Sequence, residues 1–510
     1  MASNYFCAKE NGKLHYPHTI LTGFGFLASS IAWAIYDPYI TKILNRLLGG
    51  SATITGWSTK LNELFPALAR FAAANGEDVA TAAGGITLVP LFIGIIMTFD
   101  NIFGVIFQPT FGKLSDRTHS RFGKRRPYVI YGAPVSAILF SIIPIVAIRT
   151  SSIPLTMLFI ILFVFVMSLW RAPCVALMPD LTPSEIRSEG NAIINLMGGL
   201  GSAIGLFAGT IVTVIYCAVT GADSKAADWD ELQTFPYVFL LGAIVMIIGM
   251  LVVLFFVKEP DSRIQVKAEL NRAADEEARR KAEKEAAKAE KEARKAEKLS
   301  GAERKSLIFM LLALFFLFCG TNAVTTFFAL FADEILGKTT AQATIMTTAF
   351  AAASAVAAIP AGWLGKKLGR KKTIITGLTI FIVAFLAYLV SAKLGIDALS
   401  SIFIWVALIV GGAANMFITV NTLPLVLEIG GIDKVGTFTG YYYTATFSAQ
   451  IATPIVYGMV RMFTGTYMSL FYYCPVVFVL SALFISFVKH GEANTISDEM
   501  IDKIREENED

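Results

Sequence analysis

The chain has 510 residues, 55% of them hydrophobic and 16% charged, with a mean hydropathy of +0.61. An ordinary soluble domain is about a quarter charged, so composition excludes one. The net charge of +4 balances 43 Lys and Arg against 39 Asp and Glu; it excludes little, and because its excess is local rather than a basic face it makes no case for a nucleic-acid partner.

In chain order, the N-terminus carries no basic stretch leading into a short apolar run and a small-residue cleavage site, so the first apolar segment reads as a retained span. A helix needs roughly 20 mainly apolar residues to cross a bilayer core of about 30 Å. Twelve stretches meet that need: 18–44, 85–109, 127–148, 153–178, 190–219, 235–257, 306–331, 341–364, 373–391, 399–424, 437–461 and 466–488. Between the sixth and seventh lies 258–305, which holds 27 of the 82 charged residues. There Glu276 to Arg280, Glu277 to Lys281 and Glu290 to Arg294 stand at i,i+4 in the favourable order, which predicts a solvated cytoplasmic helix acting as a spacer. The tail, 489–510, is acidic.

The predicted fold class is all-α integral membrane, twelve transmembrane helices in two six-helix bundles. Its domains are an N-terminal bundle at 1–257, the charged linker at 258–305, a C-terminal bundle at 306–488 and the tail. The Lys/Arg bias of short loops sets orientation. Lys113, Arg117, Arg121, Lys124, Arg125 and Arg126 follow the second span, and Lys366, Lys367, Arg370, Lys371 and Lys372 follow the eighth. Both loops are expected to be cytoplasmic, and an even span count brings both termini and the linker to the same side of a cytoplasmic membrane, leaving 45–84 outside. Cys7, Cys174, Cys217, Cys319 and Cys474 form no C-x-x-C pair and read as packed thiols, with neither a disulfide framework nor a metal site.

The two basic loops also echo each other. Gly112-Lys113-Leu114 leading to Phe122-Gly123-Lys124-Arg125-Arg126 matches Gly362-Trp363-Leu364 leading to Leu368-Gly369-Arg370-Lys371-Lys372. Parallel repeats of this kind describe the two halves of major facilitator transporters. Residues 100–128, DNIFGVIFQPTFGKLSDRTHSRFGKRRPY, contain G-x-x-S-D-R followed by R-F-G-K-R-R-P. This resembles the major facilitator loop signature in the form used by the glycoside–pentoside–hexuronide:cation symporters, particularly their sucrose–proton symporter branch. Residues 170–191, WRAPCVALMPDLTPSEIRSEGN, are similar to that branch's passage from span 4 into span 5. The resemblance implies alternating-access sugar transport, with Gly112, Asp116, Arg117, Arg121, Gly123, Arg125 and Arg126 as a cytoplasmic latch. Asp116, the one carboxylate of its loop, should pair with Arg117 or an arginine near a helix end, while Gly112 and Gly123 should allow close backbone approach.

A charge at the bilayer centre costs at least about 2.5 kcal/mol, so each charge within a span is a functional candidate. Asp100 and Arg171 lie deep within apolar runs. Asp37 shares a helical face with Thr22, Phe26, Ser29 and Trp33, but Pro38 and the end of the run near Leu44 leave it either on a substrate face or near the outer interface. In melibiose-type members of the resembled family, two carboxylates on span 2 and one on span 4 gather around a cation. This chain has Asp100 at one of those places and Ile96 and Arg171 at the other two. One carboxylate and one guanidinium hold little net negative charge for Na⁺, so an Asp100–Arg171 pair with proton coupling, or uncoupled transport, is expected instead.

Sugars need hydroxyl-directed donors and acceptors beside an aromatic face. The substrate candidates are Trp33, Asp37, Asn191, Asn195, Asn322, Asn415, Asn421, Tyr442 and Gln450. Coupling candidates are Asp100, Arg171 and Asp37. Expected partners are a sugar, a proton and membrane lipid; no cofactor is implied, and one chain carrying both bundles suffices as a monomer. The competing classes are a facilitator or exporter of another small molecule, a non-transporting sensor on the same fold, and a membrane enzyme. For the last there is no histidine cluster, nucleophile elbow or phosphate-binding glycine loop.

Overall fold

The computed structural model describes residues 6–9, 13–75, 85–118, 120–182, 186–226, 228–259, 301–430 and 435–489. Among these, regular structure is helical apart from one antiparallel bridge, Ala8 to Leu14, in the segment before α1. The helices are α1 Tyr16–Gly49, α2 Ala52–Leu64, α3 Pro66–Asn75, α4 Val89–Asp116, α5 Arg126–Thr150, α6 Ile153–Leu181, α7 Arg187–Thr220 and α8 Phe235–Phe256. They continue with α9 Gly301–Leu336, α10 Thr340–Leu368, α11 Arg370–Lys393, α12 Asp397–Gly430, α13 Val435–Thr464 and α14 Leu470–Ser486. The charged stretch 260–300 and the tail from 490 lie outside the described residues.

Each of the twelve predicted spans falls on a long helix. Eleven are long and apolar enough to cross a membrane; α13, with 30 residues, is long enough but carries Tyr441, Tyr442, Tyr443, Thr444, Ser448 and Gln450. Several helices outrun their apolar stretches, α4 to Asp116 and α9 to Leu336, because backbone pairing within a helix does not depend on apolar side chains. α1 likewise runs through Pro38 to Gly49. Asp37 therefore stands inside the helix, about 18 Å from its end at 1.5 Å per residue, and not at a terminus.

The chain packs as two compact units. The first comprises Met1–Ala296, Thr321–Thr348 and Gln450–Tyr473, and the second Glu297–Gly320, Ala349–Ala449 and Cys474–Asp510. In the first, α7 lies directly against α1, because Gly201 and Gly205 carry no side chain: a Cβ on Gly205 would stand 2.7 Å from the Ala34 Cβ, and one on Gly201 would strike the Leu27 carbonyl. Tyr36, Tyr39, Phe140, Phe163, Phe235 and Phe239 fill the interior between α1, α5, α6 and α8. In the second, Phe381 packs edge-on to Phe385 and close to Phe478, at 5.0 and 4.7 Å between ring centroids. Asn421 crosses from α12 to α10, donating to the carbonyls of Ala361 and Phe417 at 3.2 and 2.9 Å.

Candidate functional site

The mid-span charges of the first unit, Asp37, Asp100 and Arg171, are half-buried and stand on α1, α4 and α6. Trp33, Tyr36 and Asp37 occupy one stretch of α1, with the Trp33 and Tyr36 rings edge-on at 5.4 Å. The Arg171 guanidinium of α6 lies 5.8 Å from the Trp33 ring centroid and within electrostatic reach of Asp37. The expected Asp100–Arg171 pair is not formed: among the described residues no ion pair joins them. The Asp100 carboxylate instead accepts the Asn101 backbone N–H at 2.6 Å. Among the described residues no ion pair joins Arg171 to Asp37 either; what α1 sets against the guanidinium is the Trp33 ring.

Four buried polar atoms around this cluster carry no hydrogen bond: Ser29 Oγ, Trp33 Nε1, Tyr36 Oη and Arg171 Nε. Leaving such a group unpaired costs about 1–3 kcal/mol. Asp37 is the carboxylate acceptor beside them. Donors, an acceptor and a ring thus share one buried region, which is the chemistry a polyhydroxylated ligand uses.

The other substrate candidates are placed as follows. Asn191 and Asn195 are exposed on α7, and the Asn195 amide returns to the Asn191 carbonyl at 2.9 Å. Asn322 is half-buried with Nδ2 unpaired. The Gln450 carbonyl accepts from Asn101 Nδ2 at 3.5 Å. In the second unit, Asn415 and Tyr442 are half-buried, and the buried Asn421 spends its amide nitrogen on the two carbonyls named above, the work of a helix tie.

Residues that sequence reasoning passed over hold the far end of α1. Lys42 bridges Glu231 at 3.1 Å and Asp333. Glu231 also accepts from the Thr340 backbone N–H and hydroxyl at 2.6 and 3.1 Å, capping α10. The buried Arg461 pairs with the buried Glu334, which also accepts the Tyr467 N–H at 2.6 Å. Nearby, α4 and α13 approach backbone to backbone: a Cβ on Gly458 would stand 2.6 Å from the Pro90 carbonyl, and one on Gly94 would strike that of Pro454. These contacts bind 321–348 and 450–473 into the first unit. Charges at the ends of apolar runs were the available signal, but mid-span charges took precedence over them.

The basic loop after α4 is organised by Arg125, the residue just before α5. Its Nε donates to Asp180 at 2.7 Å, its Nη1 to the Gly112 carbonyl at 3.1 Å and to Ser115, and its Nη2 to Asp116. Arg126 reaches the Leu254 carbonyl at the end of α8. Glu259 accepts the backbone N–H groups of Lys124, Arg125 and Arg126 at 2.7–3.1 Å, satisfying donors that a helix start leaves open. Gly123 has φ +96°, and a Cβ there would strike Glu259. Gly112 differs from expectation: nothing stands within 4 Å of where its Cβ would be, and what the loop uses is its carbonyl. Arg117 and Arg121 are exposed, Arg121 stacking on Phe122 at 4.7 Å.

Residues 19–340 and 310–500 match the Major Facilitator Superfamily. Among solved structures, a D-xylose–proton symporter is similar over 92% of this chain and 96% of its own, at 15% identity and a TM-score of 0.57. A nucleoside transporter covers 92% and 100% at 14% identity and 0.56. A bacterial homologue of the iron transporter ferroportin, inward-facing, covers 93% and 98% at 10% identity and 0.59. Neighbours this diverse in cargo share a fold, and the fold does not select the substrate.

Proposed function

The chain belongs to the Major Facilitator Superfamily, a multi-pass membrane transporter family, and on that premise we propose that it carries a sugar or glycoside across the cytoplasmic membrane by alternating access with proton coupling. A disaccharide such as sucrose or maltose is the favoured cargo, as the loop resemblance to sucrose–proton symporters implies. The observation that carries the reading is the set of four unpaired buried polar atoms around Asp37, at Ser29, Trp33, Tyr36 and Arg171. The similarity to a D-xylose–proton symporter supports it.

In this reading Asp37, Trp33 and Arg171 bind the sugar, and Asp100 carries the proton. Asp100 fits that role because a carboxyl within a span, with no cation paired to it among the described residues, enters apolar surroundings most cheaply when neutral. Asn191, Asn195, Asn322, Asn415, Tyr442 and Gln450 stay in the proposed substrate set on residue chemistry. The proposed organisation is 1–257 and 306–488 as six-helix halves joined by 258–305, with both termini and the basic loops cytoplasmic, lipid around the spans and a monomer as the working unit.

The test is a thermal-shift survey of mono- and disaccharides on the purified chain, followed by uptake in proteoliposomes. Asp37→Asn should abolish sugar stabilisation, whereas Asp100→Asn should keep it and lose sugar-driven proton uptake. Unchanged proton uptake in Asp100→Asn removes Asp100 from the coupling role, and no stabilisation by any sugar points to another small solute.

A further inference from the structure

We propose that α2 and α3 form an interfacial helix pair whose exposed apolar side is seated in the headgroup–acyl boundary of the membrane, at the end of the protein where α1 finishes and α4 begins. The pair presents Trp57, Leu64, Phe65, Leu68 and Phe71 at 50, 73, 45, 41 and 55% exposure. Patches of that kind on a protein mark a contact surface. Depth, sidedness and anchoring identify the contact as lipid.

Depth comes from the chain itself. Only Gly50 and Ser51 separate α1 from α2, so α2 starts at the level of a span end. Ser58 Oγ accepts the Leu88 N–H at 3.1 Å, and Asn62 both accepts from and donates to the Ile86 backbone, at 2.8 and 3.2 Å. These bonds clamp α2 beside the first turn of α4. Trp57 stacks on Phe92, one turn into that span, at 6.1 Å, which is where tryptophan gathers at membrane interfaces.

Sidedness follows from helical spacing. Ile54 and Ser58 are buried against the protein; Trp57, half-buried Leu61 and Leu64, at spacings of four and three, share the neighbouring side; Glu63 and Lys60 are exposed beyond it. Protein, apolar and charged sides in succession suit a helix lying at the waterline. Lys60 and Arg70, both exposed, have stems long enough to keep their charges in water while the helix is seated.

Anchoring prevents the apolar side from folding inward. Ala72 of α3 is buried with Ile86 and Met462, and its carbonyl lies where a Cβ on Gly465 would be. Both ends of the pair are thus fixed, and Phe99 and Ile106, seven and fourteen residues beyond Phe92 on the same face of α4, are exposed as well.

Spin labels at Leu64→Cys, Phe71→Cys and Glu63→Cys test this in the full chain carrying Cys217→Ser, since the other four cysteines are buried. In phosphatidylcholine vesicles, labels at 64 and 71 should collide with oxygen in preference to a water-soluble nickel chelate, at a depth of about 5–10 Å, and the label at 63 should show the reverse preference. Nickel access at 64 and 71 equal to that at 63 overturns the proposal. So does shielding from both reagents, the mark of a protein partner, or spin–spin broadening relieved by dilution, the mark of a second copy. As an independent measure on the unlabelled chain, acyl-brominated lipid should quench the parent more than Trp57→Phe; equal quenching overturns the proposal.

Discussion

The loops that follow α4 and α10 each turn into the next helix on a glycine in the left-handed region, Gly123 at φ +96° and Gly369 at φ +90°. Each then sends its first two well-held cations to equivalent places. Arg125 pairs with Asp180 near the end of α6, and Arg370 with Glu428 near the end of α12; Arg126 reaches the Leu254 carbonyl at the end of α8, and Lys371 the Ser486 and Val488 carbonyls at the end of α14. They differ in acids. Arg125, with its side chain 9% exposed, holds Asp116 as well as Asp180, and Glu259 caps the backbone beneath it, whereas Arg370, 30% exposed, has the single partner Glu428 among the described residues. A repeat can therefore conserve where cations go while the acids that fix them make one copy a closed junction and the other a lighter tie.

The comparison breaks most visibly at Arg125. Arg125→Gln leaves two carboxylates and the Gly112 carbonyl without their partner, with an expected loss of about 2–4 kcal/mol, read as a lowered thermal midpoint of the purified chain and reduced uptake. A loss no larger than that of Arg370→Gln would erase the distinction between the loops. Arg370→Gln is the intermediate case, about 1 kcal/mol, because one half-buried pair is removed; equal effects on uptake from both variants would make the loops functionally equivalent despite their unequal partners.

The smallest effect is a slope with pH. Burial raises the Glu259 carboxyl above the ordinary glutamate range, against the lowering effect of the Arg126, Lys124 and Arg125 N–H groups. A raised carboxyl contributes its stability in full below the ordinary range, and that contribution is lost as pH rises through the raised value. The thermal midpoint of the parent should accordingly fall relative to Glu259→Gln as pH rises through that window. Parallel pH curves for the two proteins would show that the cap does not titrate there.

Much of this was legible in the sequence. Twelve apolar runs mark twelve helices because a membrane span is a local property of about 20 consecutive residues, and the matched glycines and cations gave the repeat for the same reason. The site was legible in part. Asp37, Trp33 and Arg171 were singled out as rare polar groups in apolar runs, and α1, α4 and α6 bring them together with Asp100. Their pairing was not legible, since Arg171 faces Trp33 and Asp37 rather than Asp100, and helix rotation decides which of several candidates a guanidinium meets. Gly94 and Gly458 were invisible for a related reason: a glycine signals a close approach only once the opposing backbone is known.

By itself, then, the sequence determined the solvent, the number of spans, the internal repeat and the positions of the cations, all set by hydropathy and charge within a few tens of residues. Tertiary structure decided what those charges hold. The Arg125 side chain meets Asp180 from 55 residues away and its backbone N–H meets Glu259 from 134, Arg370 meets Glu428 from 58, and Glu231 caps α10 from 109. An ion pair or hydrogen bond acts over a few ångströms and depends on geometry, so its partners are chosen by how helices pack, which no local pattern of residues encodes.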